Sequence, residues 1–290
     1  MTHAPAERLS PRPTSWRSRL RALAVRLLPH RALFLLRRLA ARWRPEDEPE
    51  LALVRALGDP RRAFLDVGAN KGLYLQAALG RFAEVLAVEP HPGLGEYLRA
   101  CFGARVRLLP VALSDRQGSL PLYLPKAEGR EVTSRASLQE DANPGFVLDR
   151  VVVPVERLDA LDLPPLAVIK IDVEGHEFAV LRGGLARLEH DRPVLVVEIE
   201  ERHHPGGSDG IVAFLERLGY EGRYLEHGRL RPLAGRAIKE LQDASRAKRF
   251  DRQRQSGYIN NFVFLHRDDR WARGRLVAAG YLGATESTAA

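Results

Sequence analysis

The stretch AFLDVGANKGLYLQAALGRFAEVLAVEPHP, residues 63–92, reads as a buried strand, a glycine-bearing turn, a helix and a second strand that ends in an acid. This is the opening unit of a parallel sheet, and its turn lies where such sheets receive nucleotide-type ligands. The turn is not a dinucleotide fingerprint: a G-x-G-x-x-G run from Gly68 needs glycine at 70 and 73, where the chain has Asn70 and Leu73. Nor is it a P-loop, which closes on Gly-Lys-Ser/Thr. Gly68 and Gly72 let a ligand come close to the backbone, and Asn70 is placed to cap the helix that follows. Glu89, at the end of the second strand, sits where a carboxylate accepts both hydrogen bonds of a ribose diol. The unit therefore calls for a nucleoside that carries no pyrophosphate.

The alternation continues along the chain. Strands are expected at 63–67, 84–88, 106–111, 166–171, 193–199, 219–225 and 259–265, with helices at 47–57, 71–80, 92–102, 176–189 and 209–218. Runs such as LAVIKID and VLVVEI are almost continuously apolar, as strands covered by helices on both faces must be. The expected fold is a doubly wound α/β sheet, mostly parallel. Short β-like pieces in 119–155 predict a hairpin insertion between the third and fourth core strands. The charged stretch 235–257 is either a lid or a solvated loop. The chain divides into a basic helical extension (1–50), a nucleoside-binding domain (51–270) and a tail (271–290).

Charge is unevenly distributed. Residues 1–45 hold eleven arginines and one acid, Glu7, which exceeds the net +8 of the whole chain and leaves the remainder slightly acidic. A nucleic-acid enzyme with a basic catalytic body is thereby disfavoured. Within 15–43, two short amphipathic helices are interrupted by Arg26, Pro29 and Arg31, so neither a spanning helix nor a secretory leader is formed. They lie on the main domain, touch an anionic membrane surface or, as a minor option, form a mitochondrial transit peptide; the chain is expected to be cytoplasmic, in the second case membrane-peripheral. Cys101 is the sole cysteine, which excludes an internal disulfide and a thiolate metal cluster.

Chemistry-bearing residues gather at the expected strand ends. VALSDRQG brings Ser114 and Asp115 to the end of the third strand, where a carboxylate can accept from an adenine amino group; the alternative is an ordinary turn. In IKIDVEGHEF, Lys170 lies inside an apolar strand and needs a carboxylate partner, Asp172 or Glu198. Glu174, His176 and Glu177 follow Asp172, and VEIEERHH adds Glu198, Glu200, Glu201, His203 and His204 from the next strand. Acids and histidines converging from two strand ends suit a general base, with Asp172, Glu174, Glu198 and His203 as candidates, or a carboxylate-held Mg²⁺. No dedicated metal site is assigned.

Taken together, FLDVGANKGLY, VEPHP, VALSD, IKIDVEGHEFAVLRGG, VEIE and NNFVFLH resemble the FkbM-type S-adenosylmethionine-dependent methyltransferases over roughly residues 60–266. The resemblance implies a Rossmann-like class I methyltransferase with a seven-stranded sheet whose last strand is reversed. It also implies S-adenosylmethionine as donor and a hydroxyl of a sugar, glycan or natural product as acceptor. Carried over, Asp66, Gly68, Asn70 and Gly72 would border the methionine end of the cofactor, Glu89 the ribose, and Ser114 and Asp115 the adenine. Two other classes remain open at this stage: a nucleotide-cofactor oxidoreductase on a similar sheet, and a non-catalytic module docked by its basic helices.

Overall fold

The computed structural model describes residues 48–127, 129–203, 207–242 and 258–287. The expectations for the helices of 15–43, for His204 and for most of 235–257 lie outside the described residues. By its internal contacts the chain divides into Met1–Arg44 and Pro45–Ala290, and the second unit is described here.

Its centre is the expected parallel sheet. Strands β1 (Ala63–Val67), β2 (Val85–Val88) and β3 (Arg107–Leu109) pair in parallel on one side, and β8 (Leu166–Ile171) and β9 (Val194–Glu198) extend it on the other. All five residues of β1 and all six of β8 are buried, which favours near-continuous apolar runs, interrupted here by Asp66 and Lys170. β12 (Asn261–His266) then runs antiparallel between β9 and β10 (Tyr220–Glu226), the reversed strand implied above.

The sheet has eight strands and not seven. The additional strand β11 (Arg229–Pro232) folds back on β10 through His227 and Gly228, both at positive φ. Two consecutive residues of that kind make a type I′ turn, whose twist matches that of paired strands. The dipeptide His-Gly was a weak signal because histidine is an uncommon first residue for it.

The third strand also differs from the expected 106–111. Pro110 has no N–H for the ladder, so β3 stops at Leu109 and the chain moves across to a second sheet as β4 (Ala112–Leu113). That second sheet, in the order β4-β7-β5-β6, is the predicted hairpin insertion. It comprises β5 (Gly118–Ala127), β6 (Arg130–Glu131) and β7 (Val147–Glu156), and packs Leu122, Leu124, Val153 and Val155 into a small core of its own.

Helices α1 (Glu50–Ala56), α2 (Leu73–Ala78) and α3 (Pro92–Phe102) flank the first three core strands in sequence. The helix expected at 176–189 is two, α4 (Glu177–Gly183) and α5 (Leu185–Asp191). The break serves packing: a Cβ on Gly183 would stand 2.0 Å from the Ser114 carbonyl oxygen, and one on Gly184 2.6 Å from Leu158. After α6 (Ser208–Arg217), the stretch set apart as a tail instead carries α7 (Arg270–Ala278). It is fastened to the main unit by Arg273 to Glu221 at 2.7 Å and Arg275 to the Ala56 carbonyl at 2.9 Å.

The glycine contacts give a paired prediction. Gly183→Ala must displace a backbone carbonyl and should cost about 3 kcal/mol of stability, the upper range of overpacking. Gly210→Ala in α6, with open space around it, should gain up to about 1 kcal/mol from helix propensity. Urea titrations of both variants check this; equal effects would contradict the packing account.

Candidate functional site

The turn after β1 is built from left-handed backbone: Gly68, Asn70 and Gly72 have φ of 81°, 47° and 74°. At Gly68 the absence of a side chain is obligatory, because a Cβ would lie 1.9 Å from the carbonyl oxygen of Asp172. That close approach locks the ends of β1 and β8 together. Asn70 does not cap the next helix, since the chain turns left-handed once more and the N-cap falls on Gly72. Instead its backbone N–H donates to Glu89 Oε2 at 2.8 Å, and its side-chain amide to the Thr133 carbonyl at 3.4 Å.

Glu89 is buried. Its second oxygen accepts the His91 N–H at 2.9 Å, so each carboxylate oxygen holds one backbone donor and keeps a free lone-pair direction. Burial raises its pKa, against the lowering effect of those two N–H groups. A cleft opens in front of it, with Val88, Leu113 and Leu138 as apolar walls and Gly68, Asn70 and Asp172 at its far edge. Among the described residues no lysine or arginine lines this cleft. A buried carboxylate with spare acceptors beside apolar walls fits a neutral ribose and base; it does not fit a pyrophosphate.

Ser114 and Asp115 stand apart from that cleft. The Ser114 hydroxyl is buried against His176 Nε2 at 2.9 Å, and Asp115 pairs with Arg182 at 2.6 Å. His176, expected either to join the site or to face solvent, is half-buried in this contact, and burial lowers its pKa. What reaches the cleft from this part of the chain is Ala112 and Leu113, together with Thr133, Ala136 and Ser137 of the insertion. No motif marks those insertion residues as part of a site.

A second cavity lies on the other side of the turn. Asp66, Lys170, Asp172 and Glu198 line it, with Tyr74 and the pair Asn260 and Asn261 at the start of β12. Lys170 is fully buried; its ammonium stands 3.8 Å from Asp172 and 5.3 Å above the Tyr74 ring. Burial opposes its charge, but Asp172, Glu198, Glu48 and Asp66 outweigh it and its pKa is raised. Burial pushes Asp66 up to about 8, with Lys170 pulling the other way. Glu198 is held well above the carboxylate range by burial and by the neighbouring Asp172, to which it is hydrogen-bonded; Asn260 Nδ2 donates to it at 2.6 Å. Two carboxyls in contact favour a proton between them, which is the direction in which Glu198 is shifted.

Glu174 and His203 form a separate group beside Asp172. Glu174 is left-handed at φ 50°, and its carboxylate accepts from His203 Nε2 at 3.1 Å and Arg202 at 3.3 Å. Ser137 and Gln139 of the insertion donate to the carbonyls of Glu174 and Gly175, both at 2.6 Å. Glu174 thus lines the cleft, while His203 stands behind it and fixes it in place. Among the described residues no group of three or more acids, histidines or cysteines is arranged to hold a metal ion.

A family model, the methyltransferase FkbM domain, matches residues 66–221, the span that carries the whole Glu89 cleft and most of the second cavity's lining. The chain belongs to the FkbM methyltransferase family. The FkbM fold is that of the class I S-adenosylmethionine-dependent methyltransferases. Among solved structures, the chain is similar to methyltransferase FkbM from Methylobacillus flagellatus KT, at 15% identity and a TM-score of 0.43 over 71% of this chain and 44% of that one. It therefore spans less than half the length of that protein. It is also similar to a TehB-like SAM-dependent methyltransferase from Corynebacterium glutamicum ATCC 13032 Kitasato, at 15% identity and a TM-score of 0.37, over 79% of this chain and 95% of that one. A third likeness is to precorrin-6y C5,15-methyltransferase from Geobacter metallireducens GS-15, at 16% identity and a TM-score of 0.36, over 60% and 73%. No curated protein matches the chain.

The buried acids of the FkbM domain make its stability depend on pH. Asp66 has a folded pKa of about 8 against an ordinary 3.8, so between these values the folded state keeps a proton that the unfolded chain releases. The protein should lose stability as pH rises through this window, and the raised Glu89 and Glu198 act in the same direction. Asp66→Asn, which mimics the protonated form, should flatten the fall in Tm between about pH 5 and about pH 8.5. Thermal melts of cofactor-free protein across that range test this; parallel curves for variant and wild type would show that Asp66 titrates normally.

Proposed function

We propose that the chain transfers a methyl group from S-adenosylmethionine to a hydroxyl of a sugar, glycan or natural product, with Asp172 as general base. The observation that carries this reading is the shared edge of the two cavities. Gly68, Asn70 and Asp172 line both, and of these only Asp172 can take a proton. Its side chain is about one-third exposed, enough to meet a substrate, while its neighbour Lys170 is sealed in the sheet.

Residues that would hold the cofactor are Glu89 at the ribose and Asp66, Gly68, Asn70 and Gly72 toward the methionine end. Bound S-adenosylmethionine supplies an electrophilic methyl on a sulfonium. The protein's part is to seat an acceptor oxygen in the second cavity and remove its proton. A hydroxyl is a poor nucleophile near neutral pH, and a positioned base contributes about 10²–10⁴ in rate. Lys170 and Glu198 keep Asp172 oriented, and Glu174, steadied by His203 and Arg202, borders it on the cleft side. Ser114 and Asp115 are proposed to act on the adenine end only indirectly, through the His176 and Arg182 contacts that shape its surroundings.

The absence of cations from the Glu89 cleft speaks against the oxidoreductase alternative, since a dinucleotide brings a pyrophosphate. A carboxylate-held Mg²⁺ has no supporting arrangement and is left out of the mechanism. The single cysteine fits a cytoplasmic enzyme, and a peripheral membrane contact through 15–43 stays a proposal from the sequence. Among the described residues no helix is long and apolar enough to cross a membrane.

Asp172→Asn should reduce turnover by about 10²–10⁴ and change S-adenosylmethionine affinity only a few-fold. Glu89→Ala should do the reverse, weakening cofactor binding about tenfold or more through lost charge-assisted hydrogen bonds. Calorimetry with the cofactor and a homocysteine-release assay against glycosides and small alcohols measure both. Normal turnover in Asp172→Asn would remove it as the base, and unaltered cofactor affinity in Glu89→Ala would empty the proposed ribose site.

A further inference from the structure

The second cavity is lined by more carboxyls than lysines. Four carboxyls, from Glu48, Asp66, Asp172 and Glu198, face two lysines, Lys71 and Lys170. Lys170 is already committed to Asp172, the Ile171 carbonyl and the Tyr74 ring. Beside them, Asn261 Oδ1 is buried and finds no hydrogen-bond partner among the described residues. A buried acceptor left unpaired costs about 1–3 kcal/mol, so the cavity is built to receive donors.

Where these acceptors sit separates them from the cofactor. Asn261 lies directly opposite Glu198 in the β9–β12 register, so the two side chains share one side of the sheet. β9 and β12 are on the far side of β8 from β2 and β3, which carry Glu89 and the nucleoside cleft. One ammonium, that of the cofactor's methionine next to Asp66, would answer one carboxyl at the turn. It would leave Glu198 and Asn261, one and two strands beyond β8, for the acceptor.

We propose that the acceptor carries a protonated amine close to its reacting hydroxyl, and that Glu198 and Asn261 bind this ammonium in the second cavity. This rests on the methyltransferase reading above and names the substrate class: amino sugars and related amino polyols. An ammonium supplies up to three donors and a positive charge, matching an unpaired amide oxygen and a carboxyl set among the acidic side chains of Asp172 and Asp66. A neutral polyol offers the donors without the charge and leaves the carboxyl excess in place.

The test uses the full chain, with and without S-adenosylhomocysteine, and three matched probes: glucosamine, glucose and N-acetylglucosamine. Glucosamine, protonated at about pH 6.5, should bind at least about tenfold more tightly than the other two, as one charge-assisted hydrogen bond is worth that factor. Glu198→Gln and Asn261→Leu should each remove most of the preference while leaving S-adenosylhomocysteine affinity unchanged. Equal binding of the three sugars, no binding of any, or a preference that survives in both variants overturns the proposal. A protein that binds S-adenosylhomocysteine but does not discriminate the sugars loses this inference alone. One that prefers glucosamine but ignores S-adenosylhomocysteine keeps the ammonium site and loses the methyltransferase reading.

Discussion

A lysine buried in the middle of a parallel sheet has to be answered by carboxylates, and the rest of this site follows from how Lys170 is answered. Removing either partner of a buried ion pair strands the other charge at about 3–5 kcal/mol, so Lys170 and Asp172 hold each other in place. The Asp172 carbonyl is pressed against Gly68 at the same point, and this fixes the height of the turn relative to β8. The residue that satisfies the sheet's internal charge is therefore the one exposed at the junction of the two cavities. The structural role and the proposed chemical role coincide in Asp172 because the strand end that can reach Lys170 is also the strand end that faces both cavities.

The insertion between the third and fourth core strands completes the Glu89 cleft. Its β5–β7 ribbon has a small core of its own and so can stand out from the main sheet, while its loop returns to touch three strand ends. Glu131 pairs with His91 at 3.2 Å behind Glu89, Thr133 accepts from Asn70, and Ser137 donates to Glu174. These contacts tie one wall of the cleft to the first, second and fourth core strands. A change in the loop thus reaches cofactor and acceptor sides together, and the loop's sequence need only keep its hydrogen-bonding geometry, which carries no motif.

What was legible in the sequence was whatever obeys a period or a steric rule. Continuous apolar runs gave the buried strands, and paired glycines with an acid at the next strand end gave the turn and Glu89. Lys170 in an apolar run announced its own ion pair. The eighth strand was hidden because His227–Gly228 is an unusual type I′ turn, and the split of 176–189 because nothing local marks Gly183 as the seat of the Ser114 carbonyl. Asn260 and Asn261 looked like strand residues; only the antiparallel register with β9 sets Asn261 against Glu198. Long-range register of that sort has no signature within a few residues of either partner.

The third strand shows how one residue redirects a site. Had the ladder continued through residue 110, Ser114 and Asp115 would have stood at the sheet's carboxyl edge beside Glu89. Pro110 ends the pairing, and the following residues join β7, where the Ser114 N–H donates to the Glu156 carbonyl at 2.9 Å. The Ser114 carbonyl then rests over Gly183, its hydroxyl meets His176, and Asp115 is taken by Arg182. That part of the cleft is consequently walled by Leu113 and Leu138. On the proposed reading, recognition of the base falls there to shape and apolar contact, worth about 25 cal/mol per Å² and indifferent to its hydrogen-bonding edge. Glu89, proposed at the ribose, is then the principal polar anchor that reading leaves to the nucleoside.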